Sequence, residues 1–318
     1  MATSVTARLR GFRSTPPLKQ IIWLGKNLLF LRMVAYRAWT LAQPRLRRGD
    51  VRLSDLTVEV DPAGLPPLDR NGMSPDVLTE RQRQWAREGY VILEGAIPES
   101  LVDEYVATRA ALPDSLDHEA YIHVPLMREL ALHPAINSTI RELLDEEMGL
   151  SLSLSNWTST ERNWHQDEYL NPRHVRAHYL AAWIALEKVS PEAGPFEFVP
   201  GSHRWGVMDR ARVQRFLTLS EMRSPQWPKL SEAVLNDVYG RLIDERGAER
   251  KQFLGGKGDV LIWHACLAHR GSVPRDRAAE RRALICHYTA LSKGTSYYPK
   301  VGQVPSSGGK FFYYETFE

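Results

Sequence analysis

Alternating apolar and polar residues mark the second half of the chain as a region of short strands. Residues 151–155 alternate between serine and leucine, as a strand does when one of its faces is buried. Many short strands separated by glycine, proline and polar turns are typical of a sandwich or a jelly roll. Further strands are predicted at residues 177–187, 195–200, 252–254, 259–264 and 282–290.

Helical patterns precede this region. Thr79 followed by Gln82 fits a helix N-cap with its capping-box partner, and Gly89 fits the helix end. A strand is predicted next, at residues 90–93, and a helix at residues 99–111. Residues 126–148 are also predicted to be helical, with a break at Pro134.

Residues 206–251 interrupt the strand pattern and are too long for a turn. Apolar positions recur there with helical spacing and Gly247 fits a helix end, so residues 231–246 are predicted to form a helix. An inserted helical segment at the mouth of a jelly roll is one interpretation, and it would act as a lid. A surface excursion is the other.

Residues 1–43 form a basic amphipathic N-terminal segment. Its long apolar stretch is interrupted by Lys26, Arg32 and Arg37, which argues against a membrane-spanning helix. No cleavable secretory signal follows. Three hypotheses remain: a helix packed on the folded body, a helix held on an anionic membrane surface, and a mitochondrial presequence.

The charge is distributed unevenly around the net value of +3. Ten basic residues and no acidic residue precede Asp50, which leaves 41 − 10 = 31 basic against 38 acidic residues, a balance of −7. The mildly acidic remainder argues against nucleic-acid binding. We therefore divide the chain into the N-terminal segment, a Pro-rich linker at residues 44–73 and a main domain at residues 74–318.

The chain contains two cysteines, Cys266 and Cys286, and both lie inside apolar strand-like runs. They are predicted to be core residues in a reducing compartment. We expect a cytoplasmic protein, with attachment to the inner face of a membrane as the alternative that residues 1–43 leave open.

His165 and Asp167 are candidate metal ligands. In an extended segment, alternate side chains share a face, so this imidazole and this carboxylate would lie side by side. Two histidines and one carboxylate are the ligands of a non-haem Fe(II) oxygenase, which leaves other coordination positions open. The second histidine would come from downstream, where His264 and His269 compete and have opposite strand parity.

Five short blocks follow one another along the chain. They are W-H-Q-D at residues 164–167, P-G-S-H-R at 200–204, G-D-V-L-I-W-H at 258–264, H-R-G-S at 269–272 and R-R-A-L-x-x-H-Y at 281–288. In this order they resemble the phytanoyl-CoA dioxygenase family of Fe(II)/2-oxoglutarate-dependent oxygenases, over roughly residues 74–290. The resemblance implies a mainly β fold with flanking helices, built on a double-stranded β-helix (jelly roll, cupin-like) core. It also implies Fe(II), 2-oxoglutarate and O₂.

The resemblance also implies the metal ligands. His165, Asp167 and His269 would bind the iron, because the family's distal histidine precedes a small, glycine-containing turn as His269 does here. His264 would then be a packed neighbour.

For the co-substrate, the resemblance implies that Arg281 binds the distal carboxylate of 2-oxoglutarate, with Arg282 on the opposite face as the alternative. Gln166 corresponds to a family contact to the co-substrate. Trp183 corresponds to a tryptophan of the co-substrate pocket, although core packing is an equal interpretation. In one departure, the family's serine two residues after the distal histidine, which can bond the co-substrate, is Gly271 here, and the hydroxyl comes one residue later at Ser272.

The carboxylate of Asp167 also favours one reaction. Related halogenases carry a small residue at this position, so we expect hydroxylation of an unactivated C–H bond, with succinate and CO₂ as co-products. The substrate would be a small molecule or a lipid-linked molecule, and some of the residues after Asp167 should face it: Glu168, Tyr169, Arg173, His174 and His178.

Two other classes of function remain. A jelly-roll metal protein with non-oxygenase chemistry would keep the two histidines and the carboxylate but would not need Arg281. A catalytically silent, membrane-attached binding module is the second. The sequence leaves the oligomeric state open.

Overall fold

The computed structural model describes residues 51–70, 75–113, 116–295 and 299–314. The predictions for the N-terminal segment, residues 1–43, therefore lie outside the described residues. Within the described ranges, no helix has the length and apolar character that crossing a membrane requires.

The described residues contain twelve strands and eight α-helices. The strands are β1 Thr57–Val58, β2 Tyr90–Leu93, β3 Met148–Asn156, β4 Tyr179–Ala185, β5 Phe196–Phe198, β6 Val207–Met208, β7 Lys251–Gln252, β8 Val260–His264, β9 His269–Gly271, β10 Ala283–Ala290, β11 Lys300–Gln303 and β12 Lys310–Tyr313. The helices are α1 Leu53–Leu56, α2 Glu80–Glu88, α3 Glu99–Ala110, α4 Pro125–Ala131, α5 Pro134–Leu144, α6 Arg210–Gln214, α7 Leu219–Arg223 and α8 Trp227–Glu245.

Two sheets form the core of the fold. The larger has the order β11-β12-β3-β10-β4-β8-β2 and the smaller the order β7-β5-β9. All of these pairs are antiparallel except β12 with β3. Two facing sheets with flanking helices confirm the predicted jelly roll.

Both faces of the larger sheet are buried, and β4 shows how its residues are divided between them. Leu180 and Ile184 belong to the apolar cluster that the sheet shares with α3, α4 and α5. Ala181 and Trp183 face the other way, where they cluster with Phe198 of the smaller sheet. Because strand residues alternate between faces, one strand supplies both the helix-facing core and the interior between the sheets.

The elements before β3 follow the predicted pattern. Thr79 caps α2, with Gln82 completing the capping box, and Gly89 ends the helix in the left-handed region at φ 75°. The helical stretch predicted over residues 126–148 is α4 and α5, and the predicted break at Pro134 is confirmed because α5 begins there. The chain is already extended at Met148, so the stretch ends earlier than predicted.

The sequence pattern predicted the longer strands and missed several short ones. The five predicted runs that follow residues 151–155 correspond to β4, β5, β7, β8 and β10, although β7 has only two residues. The sequence pattern missed β1, β6, β9, β11 and β12. These strands are short, and the C-terminal pair owes its place to packing of Phe312, which is 2% exposed.

Residues 51–70 pack on the body, although they belong to the predicted linker at residues 44–73. Val51 and Leu56 are buried against residues of the insertion. The strand β1 pairs with β6, with Thr57 opposite Met208. The proline-rich composition predicted a linker or an extended arm, whereas these residues form short helical turns and their few apolar side chains anchor them to the body.

The insertion is largely helical, and the predicted helix at residues 231–246 is confirmed by α8. Its buried residues include Val234, Leu235 and Val238. They cluster with Trp164 and Tyr169, which flank the candidate ligands in the sequence. The insertion therefore covers the segment that carries His165 and Asp167, as the lid interpretation requires.

Truncating the sheet core should destabilise the fold. Ile262 of β8 is fully buried, so Ile262→Ala should lower the free energy of unfolding by about 2–5 kcal/mol, measured by urea denaturation. Ile92, in the neighbouring strand β2, is 40% exposed, and the same change there should cost less than about 1 kcal/mol. Equal losses at the two positions would contradict this assignment of the core.

Candidate metal centre

His165 and His269 are brought together by their backbones. Each N–H donates to the other residue's carbonyl at 3.0 Å, so the two residues form an isolated antiparallel bridge at the edge of the smaller sheet. Antiparallel partners place their side chains on the same face, and the ring centroids are 4.2 Å apart.

The carboxylate of Asp167 completes a compact cluster. Its Oδ1 lies 3.8 Å from Nε2 of His165 and 3.7 Å from Nε2 of His269. The three ligand atoms lie within 4.8 Å of one another, and all three residues are buried. The structure thus brings together the three side chains that the sequence predicted as ligands.

Hydrogen bonds around the cluster fix the orientation of both rings. Nδ1 of His165 lies 2.6 Å from the carbonyl of Asn163, and Nδ1 of His269 lies 2.9 Å from that of Leu267. With Nδ1 donating to a carbonyl, Nε2 carries the lone pair, which is the usual arrangement for metal-binding histidines. Burial lowers the pKa of His165 well below its usual value and keeps that ring neutral.

Asp167 is oriented by Trp263, a residue to which the sequence analysis assigned no role. The indole Nε1 of Trp263 donates to Oδ2 of Asp167 at 3.0 Å, which leaves Oδ1 facing the two imidazoles. The backbone N–H of Asp167 is held by the carbonyl of Ala265. Two imidazoles and one carboxylate, all with fixed orientations, fit a divalent iron ion.

A cavity of about 70 Å³ adjoins this cluster and reaches Arg281. Arg281 is 2% exposed, and its guanidinium donates to the carbonyl of Gly194 at 2.8 Å. Within the part of the chain that the structure describes, it has no carboxylate partner, and its Nε has no hydrogen-bond partner. Burial lowers its pKa to about 10, so it is charged at neutral pH. A buried cation without a counter-ion fits an anionic ligand.

Trp183 lines the same cavity. The guanidinium of Arg281 lies 5.3 Å from the centroid of the Trp183 ring. The indole Nε1 is buried and has no partner among the described residues, so it can donate to a bound molecule. This placement agrees with the predicted role of Trp183, and the packing interpretation also holds because the ring is fully buried among Phe196 and Phe253.

The backbone near Arg281 requires glycine at position 194. Gly194 has φ +71°, and a Cβ there would lie 2.5 Å from the carbonyl oxygen of Ser272. The close approach of these two loops holds the Gly194 carbonyl where Arg281 can donate to it.

Gln166 does not reach the cavity, contrary to its expected role as a co-substrate contact. Its amide Nε2 donates to the carbonyl of Cys266 at 2.6 Å, and the residue is fully buried. The physical reason is parity, since a residue between His165 and Asp167 faces the opposite side. Ser272 is also occupied elsewhere, because its hydroxyl donates to the carbonyl of Pro195 at 2.7 Å.

The two competing residues lie outside the cluster. His264 is a packed neighbour, as expected, with Nε2 2.9 Å from Oδ2 of Asp69. Arg282 lies on the other face of β10 from Arg281, near Glu187 and Glu280 at the surface.

Arg162 is a second arginine that lines the metal cavity, and the sequence analysis missed it. Its Nε donates to both carboxylate oxygens of Glu232 in α8, at 2.8 and 2.9 Å. Burial lowers the pKa of Arg162, but the hydrogen bonds and charge of Glu232 outweigh it, so the net pKa is raised. Glu232 is 0% exposed, and this buried pair ties the insertion to the metal cavity.

His287 and Tyr179 form a further polar pair beside the metal. His287 lines the cavity, and its Nδ1 lies 2.7 Å from the hydroxyl of Tyr179. Burial lowers the pKa of His287 to about 4 and raises that of Tyr179 well above its usual value, so both are neutral at pH 7.

Strand alternation could have identified two of the missed residues. Trp263 lies next to His264, which parity placed on the outer face, so Trp263 faces the interior. His287 is an even number of residues after Arg281 and therefore shares its face along an extended chain. Arg162 has no such signal, because its partner Glu232 is far away in the sequence.

Comparisons with known proteins identify the family of the chain. A family model described as phytanoyl-CoA dioxygenase (PhyH) matches residues 85–274, which is more than half of the chain. The chain is 25% identical over 154 residues to human "Phytanoyl-CoA dioxygenase, peroxisomal"; this match covers 46% of the chain and 41% of the human protein. The match thus spans less than half of that relative's length.

Another relative matches over more of its length. The chain is 23% identical over 242 residues to the "Probable alpha-ketoglutarate-dependent hypophosphite dioxygenase" of Stutzerimonas stutzeri, covering 67% of the chain and 79% of the relative. It is 32% identical over 108 residues to L-proline trans-4-hydroxylase of Streptomyces griseoviridis, covering 32% of the chain and 37% of the relative.

Solved structures share the fold. EctD from S. alaskensis with 2-oxoglutarate and 5-hydroxyectoine superposes with a TM-score of 0.51 at 20% identity, covering 82% of the chain and 89% of EctD. The non-heme alpha ketoglutarate dependent epimerase SnoN from nogalamycin biosynthesis has a TM-score of 0.50 at 20% identity, covering 73% and 93%.

Metal binding should distinguish His269 from His264. His269→Ala removes one of three ligands and should weaken Fe(II) binding at least tenfold, measured by anaerobic equilibrium dialysis. We expect at least this loss because removing a residue that only hydrogen-bonds to a metal ligand already costs roughly 10–100-fold in affinity. His264→Ala should bind iron as the wild type does, because His264 contacts Asp69 rather than the cluster. Loss of iron in His264→Ala alone would reverse the assignment.

Proposed function

The chain belongs to the phytanoyl-CoA dioxygenase family, and from this we propose that it is an Fe(II)- and 2-oxoglutarate-dependent dioxygenase. The reaction we propose is hydroxylation of an unactivated C–H bond, with succinate and CO₂ as co-products. The substrate is a small molecule or a lipid-linked molecule. The observation that carries the proposal is the cluster of His165, Asp167 and His269 beside the buried, uncompensated charge of Arg281.

The proposed roles of the residues follow from their positions. His165, Asp167 and His269 hold the iron, with Trp263 keeping one oxygen of Asp167 turned toward the imidazoles. When bound, the iron supplies the redox chemistry by which O₂ and 2-oxoglutarate are activated. The buried walls of the cavity exclude water, so that polar groups inside it act at low dielectric.

Arg281 supports 2-oxoglutarate as the co-substrate. A guanidinium presents a planar fork that matches a carboxylate, and charge-assisted pairs are stronger than neutral hydrogen bonds. The free protein leaves this charge buried without a counter-ion, and a dicarboxylate that reaches from the metal to Arg281 would supply one. A metal protein with non-oxygenase chemistry would have no use for such a cation, so this feature favours the dioxygenase.

Asp167 supports hydroxylation rather than halogenation, because its carboxylate occupies the position that related halogenases leave open. The L-proline trans-4-hydroxylase among the relatives is named for the hydroxylation of a small molecule, which supports the small-molecule form of the proposal.

The test is an anaerobic titration of metal-free protein with Fe(II) and then with 2-oxoglutarate. A keto acid that chelates ferrous iron gives a weak visible charge-transfer band, and we expect this band in the wild type. Its loss in His165→Ala, with the protein still folded by circular dichroism, would support the ligand assignment. Iron binding without any band in the wild type would instead favour non-oxygenase metal chemistry.

Arg281 should control affinity for the co-substrate. Arg281→Gln removes hydrogen bonds to a charged group worth about 1.5–3 kcal/mol, so the apparent Kd for 2-oxoglutarate should rise roughly 10- to 100-fold. The matched control is Arg282→Gln, which removes the same charge from the outer face and should leave the Kd unchanged. Following the charge-transfer band during the titration gives both values, and a rise of similar size in both variants would refute the assignment.

A further inference from the structure

We propose that the substrate binds in a second cavity beside the metal, and that the part of it that enters is neutral and polar. This inference rests on the proposed function. The second cavity, which we call the outer cavity, has a volume of about 230 Å³. It lies between strands β3, β4 and β10 and the segment at residues 170–175 that follows the ligand Asp167.

The outer cavity continues the metal cavity along three neighbouring strands. In β3, Leu154 lines the metal cavity and Leu152 the outer cavity. In β10, His287 lines the metal cavity and Thr289 the outer cavity. Residues two apart share a face, so both cavities lie on the inner face of the larger sheet, with Arg281 at the opposite end.

The pair of Tyr179 and His287 lies where the two cavities meet. Tyr179 lines the outer cavity, His287 lines the metal cavity, and the two are joined at 2.7 Å. A substrate in the outer cavity would therefore contact Tyr179 at the end of that cavity nearest the metal ligands.

The described lining of the outer cavity contains no residue of permanent charge. Among its described lining residues there is no lysine, arginine, aspartate or glutamate, and the histidines His118 and His174 lie at its exposed rim. Its inner polar groups are hydroxyls, with Oγ of Ser151 and Oγ1 of Thr289 3.0 Å apart. A buried ion without a partner is costly, so this lining selects against a charged group.

The metal cavity offers no free cation to an anionic substrate either. Arg162 is neutralised by the fully buried Glu232. Arg281 lies at the far end and is assigned to the co-substrate. Leu152, Leu170 and Val175 add apolar surface to the outer cavity. The lining of the outer cavity thus fits a hydroxyl-bearing ring or chain with apolar faces, rather than a carboxylate or a phosphate.

Matched probe molecules test this inference. The protein is loaded with Zn(II) and 2-oxoglutarate, which removes the redox reaction and fills the Arg281 site. Binding is then measured by saturation-transfer NMR for two pairs: cyclohexylmethanol with cyclohexanecarboxylate, and methyl glucopyranoside with methyl glucuronide. We expect the neutral member of a pair to bind at least about tenfold more tightly than the acid.

Two variants and one control locate the binding. Leu152→Trp fills the outer cavity and should abolish probe binding. The control Leu65→Trp places the same side chain in a separate cavity, lined by Leu65, Asp69 and His203, and should not affect it. Thr289→Val is isosteric and removes one inner hydroxyl, so it should weaken binding by roughly 2- to 10-fold even if Leu152→Trp does not fold.

The outcomes separate this inference from the proposed function. The charge-transfer band of the Fe(II) and 2-oxoglutarate complex reports the proposed function and should persist in Leu152→Trp, Leu65→Trp and Thr289→Val. If the band is present but the acids bind as tightly as the alcohols, or no probe binds, the neutral outer cavity is refuted. Loss of binding in Leu65→Trp with retention in Thr289→Val would also overturn it.

Discussion

The pair of backbone hydrogen bonds between His165 and His269 holds the whole site together, because it joins two segments that are distant in the chain. It fixes both imidazoles on one face of the smaller sheet, and the turn before His269 holds the backbone of Asp167 through Ala265. Trp263, at the end of the larger sheet, then orients the carboxylate. The three ligands thus lie where the two sheets meet, and the hydrogen-bonded strand edges that carry them hold them in position.

Much of this arrangement could be predicted from the sequence because it follows from strand parity. The turn between β8 of the larger sheet and β9 of the smaller sheet separates His264 from His269. Strand parity placed His165 beside Asp167, and the structure agrees. It also explains why Gln166 points away, a consequence that the family resemblance obscured. The buried pair of Arg162 and Glu232 could not be predicted in this way, since it depends on how α8 docks rather than on a local repeat. Residues 51–70 were misread for a similar reason: proline content describes local conformation, whereas burial of Leu56 depends on a distant surface.

The two arginines that line the metal cavity differ in whether a buried carboxylate neutralises their charge. Arg162 has a buried counter-ion, so it adds no net charge to the cavity. Arg281 has only neutral partners in the described structure, the carbonyls of Gly194 and Thr158, and its positive charge remains available. An anion entering the site is therefore drawn to one end, while the region toward Tyr179 and Thr289 stays neutral. This uneven distribution of charge allows the interior to bind an anionic co-substrate at one end and a neutral substrate at the other.

The same charges bear on how a substrate reaches the metal. Entry beneath α8 would separate Glu232 from Arg162 and the hydroxyl of Tyr169 from that of Ser231, which lie 2.8 Å apart. Breaking a buried ion pair leaves an uncompensated charge and costs about 3–5 kcal/mol. The outer cavity involves no such cost, because its rim includes the exposed residues His118, Pro172 and His174. The insertion therefore forms a wall of the metal cavity, and the outer cavity offers the less costly approach, on the side of Tyr179.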